Sequence, residues 1–164
     1  MAPKYTNTLE FPSGMPAILP ISWGHREACV PQLIWNHTCT VGVRAMDDQH
    51  SILMDTINEL RLALNRGYGR ERIAEKFDEM IEFMRMHFAS EERLLEQIQF
   101  EGLAEHRVAH HKLLADMIHT AHQVQYGEGM MANRFFGAVR DSFLAHIEEF
   151  DKPYGPSLNR SGVQ

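Results

Sequence analysis

The sequence predicts an all-α protein, an up-down-up-down four-helix bundle with an extended N-terminal arm. Two observations indicate this fold. Four stretches carry apolar residues at steps of three and four, which is the spacing of one face of an α-helix. The breaks between these stretches are short and marked by glycine, and short connections between long helices favour antiparallel neighbours.

The chain divides by composition into three parts. Residues 1–34 are expected to form the extended arm, because five of the seven prolines precede residue 45 and no helical period is sustained there. Residues 35–155 should form the bundle, and residues 156–164 a C-terminal tail.

Each predicted helix has its own start or stop signal. Asp47 and Asp48 suit the positive N-terminal end of the first helix, and Gly67 suits its close. Pro153 should end the last helix near Phe150, because proline disfavours helix at the residue before it. We expect the four helices at about residues 46–66, 70–98, 103–125 and 130–150.

The composition is that of one ordinary globular domain. Of the 164 residues, 44% are hydrophobic and 23% are charged. A chain of this length can bury a core without disulfide bonds. The formal charge of -6, without a basic cluster, argues against nucleic acid and anionic membranes as partners. Two cysteines outside any C-x-x-C pair favour a reducing compartment.

Residues 1–19 lack the apolar run of a signal peptide, and no stretch reaches the ~20 apolar residues of a membrane span. We therefore expect a cytoplasmic protein.

Polar residues interrupt the apolar stripes of the predicted helices. Burying an imidazole or carboxylate without a partner is costly, so several such residues in one core indicate metal ions. In the predicted topology, the polar residues in these stripes lie within roughly 5–17 Å of the same end of the bundle, because each helical residue adds a rise of 1.5 Å. Six such residues occupy positions where the helical pattern predicts leucine or isoleucine: His50, His87, Glu91, His106, His110 and His146.

The spacing of these residues fits a site for two metal ions. His87 and Glu91, like the pair His106-x-x-x-His110, are four residues apart and share one helical face. Asp151 follows His146 by five residues and can reach the core only if the helix ends near Phe150. Imidazoles suit first-row divalent metals, and a carboxylate can bridge two of them. Seven side chains are too many ligands for one ion that also binds a substrate. Two ions, joined by two bridging carboxylates and a solvent-derived bridge, would leave one coordination position open.

The other histidines are expected to be structural or surface residues. His111 is the nearest competitor, because a shift of one residue would exchange it with His110. The apolar stripe that includes Leu103 and Leu113 favours His110. The five histidines assigned to this class are His25, His37, His111, His119 and His122.

These motifs together resemble those of the hemerythrins, most closely the single-domain bacterial branch. The resemblance covers about residues 33–155 and includes all seven ligand positions in order. The residues that carry it are Trp35-Asn36, Val41-Gly42-Val43, Asp47-Asp48-Gln49-His50, His87-Phe88-Ala89-Ser90-Glu91-Glu92, His106-x-x-x-His110, His146-Ile147 and Asp151-x-x-Tyr154.

The resemblance implies reversible O2 binding at a non-haem di-iron site, for oxygen transport, storage or delivery, and no enzymatic turnover. The cofactor would be two iron ions (Fe2+/Fe3+) joined by an oxo or hydroxo bridge. One iron would be held by His106, His110 and His146 and the other by His50 and His87. Both carboxylates, Glu91 and Asp151, would bridge the two irons.

The resemblance also indicates four candidate residues for the O2 pocket or the surroundings of the ligands. Ser142 and Phe143 stand where the family often has a Trp-Leu pair, and Cys39 stands where an aromatic residue is common. A Tyr-Pro step that is common before the third helix reads Phe100-Glu101 here. The four candidates are Ser142, Phe143, Tyr154 and Cys39.

Two other classes of function compete with an oxygen carrier. One is a di-iron oxidase or peroxidase acting on O2, peroxide or nitric oxide, but the doubled Glu-x-x-His motif of carboxylate-rich oxidases is missing from the core positions. The other is an O2 or redox sensor or an interaction module, with a protein partner bound through the N-terminal arm.

Overall fold

The computed structural model of the chain describes residues 32–126 and 132–163, and within these ranges it contains helices and no strand. Four long helices are followed by three short helical segments. The long helices are α1 (Arg44–Asn65), α2 (Arg70–Gln97), α3 (Leu103–Tyr126) and α4 (Ala132–His146). The short segments are a π-helical turn (Ile147–Asp151), a 3-10 turn (Lys152–Tyr154) and the helix α5 (Gly155–Arg160).

The long helices form the predicted four-helix bundle. α1 packs against α2 and α4, and α3 packs against the same two helices, so that helices adjacent in sequence are neighbours in space. The first three helices begin and end within two residues of the predicted bounds, whereas the predicted start near residue 130 lies outside the described residues. None of the described helices combines the length and the apolar character that crossing a bilayer requires.

The predicted stripes fill the interior of the bundle, with small shifts. α2 buries Leu95 completely, whereas Leu94 is only partly buried. Both follow Glu91 by a step that the helical period allows, so the pattern alone does not choose between them. The largest fully buried apolar side chains are Met46, Leu53, Met54, Ile57, Leu60, Met80, Leu95, Ile147, Tyr154 and Leu158.

The segment before α1 is tied to the start of that helix. The Asp47 carboxylate accepts hydrogen bonds from Thr40 Oγ1 at 2.5 Å and from the Val41 N–H at 2.8 Å. Further upstream, the Asn58 side chain accepts from the Leu33 N–H at 3.0 Å and donates to the Leu33 carbonyl at 2.8 Å. The bonds to Val41 and Leu33 satisfy backbone groups that lie outside any helix.

The last helical segment packs onto this upstream segment. Asn159 donates to the Gly42 carbonyl at 2.9 Å, and Leu158 is fully buried. Gly155 approaches so closely that an added Cβ would lie 2.1 Å from the Val41 carbonyl oxygen. Residues 41–43 and 155–159 therefore lie against each other beside the π-helical turn.

The C-terminal end of the bundle differs from the sequence prediction. The last long helix does not end near Phe150 as predicted: α4 ends at His146, and the chain then continues through the π-helical and 3-10 turns into α5. Pro153 is tolerated because it lies in the first turn of a new helical segment, where its missing N–H is not required. The predicted arm lies outside the described residues up to residue 31, and the division of the chain into arm, bundle and tail stays a prediction.

Candidate metal centre

Four helices and the π-helical turn bring the seven predicted ligand residues together in the interior. α1 contributes one of them, α2 and α3 contribute two each, and α4 and the turn contribute one each. Every one is buried, with at most 5% of its surface exposed. The seven are His50, His87, Glu91, His106, His110, His146 and Asp151.

The donor atoms of these residues form two overlapping groups, each within 4.8 Å. The group with three histidines, here called the three-histidine position, comprises His106, His110 and His146 with Glu91 and Asp151. The group with two histidines, the two-histidine position, comprises His50, His87 and Glu91. Glu91 belongs to both groups, so the arrangement can hold two cations side by side.

The two carboxylates each face both positions. Glu91 Oε1 lies 2.5 Å from Nε2 of His106, and its Oε2 lies 3.3 Å from Nε2 of His87. Asp151 Oδ1 lies 3.1 Å from Nε2 of His146, and its Oδ2 lies 3.3 Å from Nε2 of His50. One oxygen for each position is the arrangement that a bridging carboxylate requires.

The π-helical turn is what directs Asp151 into the site. In a regular α-helix, residues five apart do not share a face, whereas the wider π turn, with its i→i+5 hydrogen bonds, brings residues five apart closer to one face. The turn that follows α4 therefore brings Asp151 next to His146 without a break in the helical path of the backbone.

Hydrogen bonds outside the cluster fix the orientation of two imidazoles. Nδ1 of His87 lies 2.9 Å from Gln49 Oε1, and Nδ1 of His110 lies 2.8 Å from Glu92 Oε1. Because these oxygens are acceptors, each Nδ1 carries the proton, and Nε2 presents its lone pair to the interior. Ligand histidines in metal sites have this arrangement.

The inward-facing atoms fit cations better than they fit one another. The Nε2 atoms of His106 and His110 are 3.0 Å apart, and those of His50 and His87 are 3.1 Å apart. Among the described residues, both oxygens of Glu91, both oxygens of Asp151 and Nε2 of His146 are buried without a hydrogen bond. Buried polar atoms without partners are costly, and a cation among them would satisfy them.

Burial controls the protonation of these groups in the absence of an ion. It lowers the pKa of His87 to about 3 and that of His110 to about 2, with further lowering from neighbouring histidines. Burial and the charge of Asp151 raise the pKa of Glu91 to about 7. For Asp151 itself, burial acts to raise the pKa, but the nearby His146 and His50 outweigh it and the pKa lies below its usual range. Neutral imidazoles are the form that binds metals.

Aromatic side chains pack around the cluster. Phe88 stacks on His110 with ring centroids 3.9 Å apart, and Phe150 stacks on His146 at 5.4 Å. Such packing holds imidazoles in place and limits access of water to the interior.

The four candidate pocket residues occupy different environments. The buried ring of Phe143 lies 6.0 Å from the ring of His50, and the ring of Tyr154 lies 5.7 Å from His106. Burial raises the pKa of the Tyr154 hydroxyl. Cys39 is buried in the segment before α1, with Sγ 4.0 Å from Thr38 Oγ1. Ser142, in contrast, is exposed on α4 and lines a surface groove of about 610 Å³ between α3 and α4.

The described histidines outside the cluster lie at the surface, as predicted from the sequence. His37, His111, His119 and His122 are exposed, whereas His110 is buried. His25 lies outside the described residues.

Sequence reasoning missed the roles of Gln49 and Glu92 as partners of ligand imidazoles. Each is adjacent in sequence to a ligand but supports a histidine on a different helix. Such contacts depend on how neighbouring helices are rotated, and no spacing within one helix predicts them. The only available signal was the polar character of the residues next to His50 and Glu91.

The comparisons with known proteins agree with this geometry. The family model "Hemerythrin HHE cation binding domain" matches residues 41–158. The bacteriohemerythrin of Methylococcus capsulatus is 32% identical over 113 residues, which cover 69% of this chain and 86% of that protein. The bacteriohemerythrin of Pseudomonas aeruginosa is 25% identical over 145 residues, which cover 79% of this chain and 94% of that protein.

Solved structures give the same result. The crystal structure of a wild-type hemerythrin aligns with a TM-score of 0.68 and 29% identity, over 78% of this chain and 98% of the other. The family match covers most of the chain and includes all seven buried residues of the cluster. The chain therefore belongs to the hemerythrin family.

Proposed function

We propose that this chain binds O2 reversibly at two non-haem iron ions and serves in oxygen transport, storage or delivery. The observation that carries the proposal is the pair of overlapping ligand groups, one with three histidines and one with two, that share Glu91. Glu91 and Asp151 would bridge the two ions, joined by an oxo or hydroxo group. The two-histidine position would then keep one coordination site for a small ligand. A pair of ferrous ions supplies the electrons that O2 binding requires.

The residues around the cluster support binding rather than turnover. Five imidazoles and two carboxylates make a less anionic site than a carboxylate-rich one, which should disfavour the highly oxidised states that break the O–O bond. Phe88 and Phe143 are buried against ligand imidazoles and limit the entry of water and protons. On these grounds we propose a carrier and not an enzyme.

The direct test is reversibility. The ferrous protein is prepared without oxygen, exposed to air, and returned to an oxygen-free atmosphere while its charge-transfer absorption is recorded. We expect a coloured adduct that forms and disappears over repeated cycles. Irreversible oxidation with release of hydrogen peroxide, or turnover of an added substrate, would instead indicate an oxidase or peroxidase.

Two adjacent histidines provide a matched pair of variants for this test. His110→Ala removes a buried residue of the three-histidine position and should abolish the adduct. His111→Ala removes the same chemical group from an exposed position on the same helix and should leave the adduct unchanged. Loss of the adduct in both variants would count against the assigned register of α3.

A further inference from the structure

The two ligand imidazoles with known outer partners differ in the charge of those partners. In the three-histidine position, Nδ1 of His110 donates to the carboxylate of Glu92 at 2.8 Å. In the two-histidine position, Nδ1 of His87 donates to the neutral amide oxygen of Gln49 at 2.9 Å. The two hydrogen bonds have similar lengths, but one acceptor is a carboxylate and the other is a neutral amide.

Glu92 is also held from the other side. Its Oε2 lies 3.2 Å from Nε of Arg107. Nη2 of the same arginine lies 3.6 Å from Oε1 of the exposed Glu96. The Glu92 side chain is only 22% exposed, so solvent screens it less than it screens a surface carboxylate. Among the residues that the structure describes, the partner of His110 Nδ1 is thus a carboxylate held in place, and the partner of His87 Nδ1 is a neutral amide.

A carboxylate partner changes what an imidazole can do as a ligand. It draws the Nδ1 proton toward itself and raises the basicity of the opposite ring nitrogen, more than a neutral amide does. At equal geometry, His110 should therefore be the stronger donor of the two.

We propose that Glu92 is a positioning residue that strengthens cation binding at the three-histidine position, beyond what the additional imidazole provides. With the neutral Gln49 as partner, the two-histidine position binds a cation more weakly. A cation therefore occupies the three-histidine position first and leaves it last. This inference rests on the proposed two-cation site.

The test uses the full chain and Zn²⁺ alone, because this ion does not change oxidation state. Competition with a chromophoric chelator should resolve two release steps in the wild-type protein. Glu92→Gln should weaken the tighter step by about 10–100-fold, the usual effect of losing an outer partner of a ligand, and leave the weaker step unchanged. Gln49→Glu should tighten the weaker step.

Glu96→Gln is the matched control. It removes the same charge from the same helix and also loses a contact with Arg107, but Glu96 makes no contact with an imidazole among the described residues. Both of its release steps should equal those of the wild type.

The outcomes separate this inference from the proposed function. An unchanged tight step in Glu92→Gln, or equal weakening of both steps, would overturn the role of Glu92. If that variant loses its helical circular dichroism, Gln49→Glu decides, and an unchanged weak step there overturns the inference. Fewer than two Zn²⁺ ions bound per wild-type chain would overturn the two-cation site itself.

Discussion

His146 and Asp151 lie five residues apart, and a π-helical turn brings Nε2 of the histidine within 3.1 Å of Oδ1 of the aspartate. A regular α-helix would point the two side chains to different faces. The turn follows α4 directly and therefore adds Asp151 to the cluster to which α4 contributes His146.

Replacing the aspartate should remove one of the two proposed bridges. In Asp151→Ala, two fully buried carboxylate oxygens that face both positions are lost, and we expect the metal content to fall below two ions per chain. Elemental analysis of the reconstituted protein measures this.

Glu149→Ala is the control for this change, because Glu149 lies in the same turn with an exposed side chain. Its metal content should match that of the wild type. Metal loss in the control as well would mean that the turn, and not the carboxylate, determines binding.

The close approach of Gly155 to Val41 predicts a strict requirement for glycine. In Gly155→Ala the new Cβ would lie 2.1 Å from a backbone oxygen, so the two segments must move apart. We expect the free energy of unfolding to fall by about 1–3 kcal/mol or more, as in other overpacked cores. Urea unfolding of the variant and the wild type measures the difference.

Gly137→Ala supplies the contrasting substitution. Its Cβ would meet nothing within 4 Å, and Gly137 lies inside α4. Alanine should stabilise this helix by roughly 0.5–1 kcal/mol. Equal destabilisation by both substitutions would contradict the contact between Gly155 and Val41.

The metal-free protein should lose stability on acidification. His87 and His110 have folded-state pKa values of about 3 and about 2, below the 6.5 of an unperturbed histidine, so below pH 6.5 the unfolded chain binds two protons that the folded chain does not. Both histidines therefore contribute stability above pH 6.5 that is lost as the pH falls.

Glu91 opposes this effect over part of the range. Its raised pKa of about 7 means that the folded chain binds a proton between pH 7 and 4.5 that the unfolded chain lacks. The raised pKa of His106, where Glu91 outweighs burial, acts in the same direction as that of Glu91 near pH 6.5. The net loss should be shallow from pH 6.5 to 4.5 and steeper below, where Glu91 is protonated in both states.

Thermal unfolding of the chelator-treated protein at a series of pH values measures this dependence. A midpoint that rises as the pH falls from 6.5 to 4 would contradict the buried, neutral state of His87 and His110.

The sequence predicted the cluster well because helical periodicity determines which residues face inward. The steps of four from His87 to Glu91 and from His106 to His110 place each pair on one face, and short loops place both pairs at one end of the bundle. Six inward-facing positions therefore followed from spacing alone.

Features that depend on departures from the α-helix were not predicted. Pro153 in the sequence favours a helix end near Phe150 as the way for Asp151 to reach the core, whereas the chain forms a wider turn and continues. The contact of Gly155 with Val41 joins segments over 100 residues apart, and local patterns do not contain such information.

Metal content tests the central claim most directly. The protein is reconstituted with ferrous iron without oxygen, freed of excess iron, and measured for iron per chain beside the variant Glu91→Ala. We predict two irons per chain in the wild type and fewer in the variant, which lacks the carboxylate shared by both positions. One iron or none in the wild type, or two in the variant, would contradict a di-iron centre bridged by Glu91.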